Sequence, residues 1–106
     1  MVKYNINQVA EEMDITPEVL REILDLFFEH IDEYMAQLEK EIKNNSLEEI
    51  AKSAHKIAGS GGAVQFEIVR KLAKEIENSA KEKKMIDYKE KFNQLKEMIT
   101  LYKNLL

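Results

Sequence analysis

Between Thr16-Pro17 and Asn44-Asn45 the chain carries one unbroken amphipathic pattern, and its length constrains the fold more than any other feature. Leu20, Ile23, Leu24, Phe27, Ile31, Tyr34, Leu38 and Ile42 recur at helical spacing and form a single apolar stripe. Threonine followed by proline marks the start, because the hydroxyl caps free N–H groups and proline tolerates the first helical position. The paired asparagines suit a helix end and a turn. A helix of this length needs partners that cover its stripe.

The rest of the sequence supplies them. "NINQVAEEM" predicts a short helix, capped by Asn5 or Asn7, with Val9, Ala10 and Met13 as its apolar edge. Ser46 with Glu49 reads as a capping box for a helix striped by Leu47, Ile50, Ala51, Ala54, Ile57 and Ala58. The Gly61-Gly62 pair is expected to end or fray it, since glycine is a poor helix former. Another helix is expected to start near Gln65, with Phe66, Val69, Leu72, Ala73, Ile76 and Ala80 on its stripe, and to decay in "KEKK". Asp87 with Glu90 opens the last, striped by Tyr88, Phe92, Leu95, Ile99, Tyr102 and Leu106. Short connections favour antiparallel neighbours. The expected fold class is all-α: an antiparallel up-down four-helix bundle with a short additional N-terminal helix, in one domain over residues 1–106.

Composition narrows function mainly by exclusion. The net charge of −4, with lysines scattered among the acids, offers no basic face for nucleic acid. Absence of cysteine removes disulfides and thiolate chemistry and fits a reducing compartment. No segment resembles a signal peptide or approaches ~18 uncharged apolar residues. A soluble, cytoplasmic chain is expected, without membrane contact.

"SAHKIAGSGGAVQF" departs from generic helix. It holds one of the two histidines and all three glycines. At about 100° per residue, His55 falls on the flank of the stripe centred near Ala54. Its neighbours one turn either side and two turns on are Ala51, Ala58, Gly59 and Gly62, so the imidazole stands above bare helix. A flanking histidine is ordinarily a hydrogen-bonded surface residue. Gly59 argues otherwise: it costs roughly 1 kcal/mol relative to alanine in a helix interior, and it lies away from the core stripe. A molecule approaching from outside would benefit from that clearance.

One helix further on, Lys74, Glu77 and Lys81 follow one another at spacings of three and four, with Arg70 nearby. An antiparallel neighbour could bring this charged flank beside His55. A carboxylate on one ring nitrogen would fix the tautomer and leave the other free as a nucleophile. An ammonium would neutralise a phosphoryl oxygen. Taken singly, such a strip is normally a solvated helix face.

The combination resembles the histidine phosphotransfer (HPt) domain of two-component phosphorelays, over nearly the whole chain. His55, Ile57, Gly59 and Ser60 match the family's H-x-[LI]-K-G-[SA]-[AS] pattern by position, and Glu77 in "LAKEIE" falls where the family often has Glu or Gln bonded to the histidine. The resemblance implies that His55 accepts a phosphoryl group on Nε2 from a receiver aspartate or a sensor (hybrid) histidine kinase and passes it to a response-regulator receiver. Glu77 would orient the ring. Ala51, Ala58, Gly59, Ser60, Gly62 and Lys81 would form the docking surface, extended by Val9 and Met13. Two departures stand out. Ala58 occupies the place of a common family lysine, so its charge falls to Lys74 first and Lys56 second. Gln65 stands where the family often has glycine, and Gly62 is expected to relax the turn instead.

Attack by a neutral imidazole on an aspartyl phosphate needs no metal, cofactor or base from this chain, and Mg²⁺ is expected only in the receiver. The chain then acts as a monomeric phosphoryl carrier more than an enzyme. A helical interaction scaffold without phosphochemistry explains the stripes equally well, but not three glycines around one histidine. A His30–His55 metal site lacks any Glu-x-x-His pair, because Phe27 and Lys52 hold the positions three residues earlier. His30, with bulky neighbours, reads as structural or solvent-facing. No Ser or Asp is placed with His55 as a hydrolase would require.

Overall fold

The computed structural model describes residues 2–106. Among these the regular structure is entirely helical: α1 (Ile6–Glu12), α2 (Pro17–Lys43), α3 (Leu47–Ala63), α4 (Glu67–Lys81) and α5 (Tyr88–Leu105). At ~1.5 Å per residue, α2 alone spans about 40 Å, which sets the long dimension of 42 Å. The four longer helices pack in a ring, α2 against α3 and α5, and α4 against α3 and α5, while α1 lies on α2. No described helix is long and apolar enough to cross a membrane.

Caps explain three of the starts. Asn5 accepts from the Gln8 N–H, Thr16 from Val19 and Asp87 from Glu90. Ser46 makes no such bond, so the capping box expected at α3 is absent. The core draws on every helix, with Leu20, Ile31, Leu38, Ile57, Phe66, Ile76 and Leu95 fully covered. Met35 joins it, while Leu106, expected on the α5 stripe, is exposed.

The helix ends carry two corrections. Gly61-Gly62 does not break α3, which runs through both glycines to Ala63, while α4 starts at Glu67, close to the expected Gln65. A Cβ on Gly61 would lie 2.9 Å from Val69 Cγ1, so this glycine permits close contact between α3 and α4. The left-handed turn residue is Gln65 itself, with φ of 59°, and Gly62 does not relax the turn. Phe66 N–H bonds to Gly61 C=O and Gln65 N–H to Gly62 C=O, closing α3 in a Schellman-type end. From the N-terminal segment, Tyr4 donates to the Val64 carbonyl at 2.7 Å and packs edge-on against Phe66 and Tyr102.

Candidate functional site

Position 77 lies on the buried face of α4, between Ala73 one turn before and Ala80 one turn after. These small neighbours let the α3–α4 contact close over the carboxylate, leaving Glu77 only 1% exposed. The expectation of a solvated charged strip therefore fails at its middle member. A carboxylate withdrawn from water needs cations. Helical spacing supplies two: Lys74 Nζ lies 3.1 Å from Oε1, and Lys81 Nζ lies 2.8 Å from Oε2. Arg70 is not among them, because it pairs with Glu67 and lies over Gly62.

The third partner comes from α3. His55 Nδ1 lies 3.0 Å from Glu77 Oε2, the oxygen that also faces Lys81. Burial alone would push the Glu77 carboxyl upward, but Lys81, Lys74 and His55 outweigh it and hold the group below its ordinary range. An ionised carboxylate only accepts. Nδ1 therefore carries the donated proton, and in the neutral ring Nε2 keeps its lone pair. The His55 side chain is 67% exposed, and Nε2 has no hydrogen-bond partner among the described residues. A base fixed from below and open above is poised for nucleophilic attack.

An open cleft surrounds the ring. Lys52, Lys56, Lys81 and Glu49 border it with His55, and α2 adds Glu33, Tyr34 and Gln37. From sequence Tyr34 reads only as part of the α2 stripe, since it is the packing of α2 on α3 that brings these residues to the cleft. Tyr34 also borders a shallow apolar groove formed with Ile23, Leu26, His30, Ser60 and Ala63. Lys74, by contrast, does not line the cleft. His30 is exposed, and among the described residues no group of three or more His, Asp or Glu side chains is placed to hold a metal ion.

The bare patch is smaller in the folded protein than its sequence suggests. Ala51 and Ala58 are only 7% and 3% exposed, because the α3 face they occupy turns into the core. Ala51 still lines the cleft despite its burial, and Val9 is also buried. Gly59 remains exposed, with nothing within 4 Å of where a Cβ would stand, flanked by the half-buried Ser60 and Gly62. No internal contact accounts for a glycine there.

A family model described as the Hpt domain matches residues 22–104, from early α2 nearly to the end of α5. The chain belongs to the Hpt domain family. Membership carries a histidine phosphotransfer role in two-component phosphorelays, with a helical bundle as scaffold and the domain as phosphoryl carrier. Comparisons with curated proteins and with solved structures gave no match.

Proposed function

We propose that residues 1–106 form a single Hpt domain, an antiparallel up-down four-helix bundle with α1 added. His55 accepts a phosphoryl group on Nε2 and passes it to a response-regulator receiver. The observation that carries this reading is the 3.0 Å contact between His55 Nδ1 and the buried Glu77, which fixes the ring while Nε2 faces solvent. Nε2 attacks phosphorus as the bond to the receiver's aspartate oxygen breaks, and the electron pair leaves with the carboxylate. The ring becomes cationic, and Glu77 beside Nδ1 compensates that charge. Mg²⁺ belongs to the receiver pocket, and most transition-state stabilisation comes from there, so the domain is carrier rather than enzyme.

Gly59 supplies clearance for the approaching receiver. Beside it, the groove holding Ile23, Leu26 and Ala63 offers apolar surface for docking, with Ser60 among its lining residues. A sensor or hybrid kinase is the natural phosphoryl source, in the cytoplasm, with the domain acting as a monomer. Incubation with a phosphorylated receiver followed by intact-mass measurement tests the reading. The expected result is an acid-labile gain of one phosphoryl group that disappears in His55→Gln. No label from several receivers, with unchanged partner binding in His55→Gln, would instead make the chain an interaction scaffold.

A further inference from the structure

Glu77 is paired with more positive charge than it needs. One carboxylate faces two ammonium groups, Lys74 on Oε1 and Lys81 on Oε2, and also receives the His55 ring N–H. With the ring neutral, the cluster carries one surplus positive charge. The two lysines are not equivalent. Lys81 shares its oxygen with His55, is 61% exposed and borders the cleft over the ring. Lys74 takes the other oxygen and stands outside the cleft. Position 58, where a third cation would have been expected, holds a buried alanine.

We propose that Lys81 is the phosphoryl partner of His55, exchanging Glu77 for the phosphoryl oxygens once the group arrives, while Lys74 stays and keeps the carboxylate neutralised. The inference rests on His55 being the phosphoacceptor. Charge accounting supports the exchange. The phosphoryl group brings two negative charges and its attachment makes the ring cationic, with the Nδ1 proton still held by Glu77. The surplus positive charge then falls to zero. Lysine suits the move, because its ammonium is a point charge on a flexible stem with no fixed fork geometry to break. Lys74 cannot leave as easily, since it is the cation that faces the buried Oε1, which has no other polar partner among the described residues.

The test needs no partner protein. In a His30→Gln background, His55 is labelled with phosphoramidate, and the ionisation of the phosphoryl group is followed by ³¹P NMR against pH. A nearby ammonium favours the dianion, so Lys81→Gln should raise the titration midpoint by ~0.5–1 pH unit. Lys81→Arg should keep it low. Lys74→Gln should raise it less, because Lys81 is then held by an otherwise unneutralised Glu77. Lys56→Gln should raise it less than Lys81→Gln, because Lys56 borders the cleft without an ion pair to Glu77. An unshifted midpoint in Lys81→Gln, or a larger shift in Lys56→Gln, overturns the assignment. Helical circular dichroism confirms that each variant is folded. If phosphoramidate labels His55 but no receiver does, the phosphorelay reading fails while the lysine result still stands.

Discussion

Substituting Gly59 should move stability and phosphotransfer in opposite directions. The residue lies inside α3 with no left-handed backbone angle, and a Cβ there meets nothing within 4 Å. Alanine therefore recovers the helix propensity that glycine forgoes, about 0.5–1 kcal/mol. For a domain of this size that corresponds to a Tm higher by roughly 2–8 °C. Arginine, also a good helix former, should give a comparable gain, with its long side chain free to extend into solvent. Yet Gly59→Arg places that side chain one turn from His55, on the surface proposed for receiver docking, and transfer should be abolished. Thermal unfolding and receiver-to-domain transfer, measured on the same preparation, decide the matter. A lower Tm would mean that Gly59 serves internal packing, and near-normal transfer would remove the clearance argument. Gly61→Ala is the control with opposite sign. Its Cβ would stand 2.9 Å from the fully buried Val69, so overpacking of about 1–3 kcal/mol outweighs the propensity gain and the protein should lose stability.

Gln65→Gly relieves a left-handed residue whose strain is ~1–2 kcal/mol, offset by extra freedom in the unfolded chain. Denaturant unfolding should show a net gain of about 0.5–1 kcal/mol. Because the Glu77 pKa is depressed in the folded state, its ion pairs contribute stability fully present above the ordinary value of 4.5. That contribution is lost as pH falls through the folded value, so Glu77→Gln should flatten the acid limb of a stability–pH curve. Tyr4 behaves oppositely, as burial and the neighbouring Tyr102 raise its hydroxyl to about 12. Its contribution is present below pH 10 and lost as pH rises through about 12, so Tyr4→Phe should flatten the alkaline limb and cost about 0.5–1.5 kcal/mol at neutral pH.

The helices were legible where local chemistry decides. Thr16-Pro17, Asn5 and Asp87 announce starts that the backbone honours, and the α2 stripe points inward at Leu20, Leu24, Phe27, Ile31 and Leu38. Legibility ended where another helix intervenes. Gly61-Gly62 looks like a helix stop until Val69 of α4 is seen pressing on it, and then it is a packing seam. In the site, the His55–Glu77 pairing was readable from spacing and family pattern. The depth of Glu77 was not, although Ala73 and Ala80 around it were the available signal. Ala51 and Ala58 failed for a related reason: a small side chain fits equally well on a bare surface or beneath a neighbour.

The Tyr4 tether bears on where this domain can be cut. The family match begins at residue 22, yet Tyr4 holds the end of α3, Val9 and Ala10 are buried, and Leu20 is fully covered. A fragment trimmed to the matched boundaries would uncover one edge of Phe66, leave the Val64 carbonyl without the Tyr4 hydroxyl and drop the first turn of the longest helix. When this domain is joined to other proteins or excised from them, the boundary belongs ahead of Tyr4, in the stretch that the family pattern does not reach.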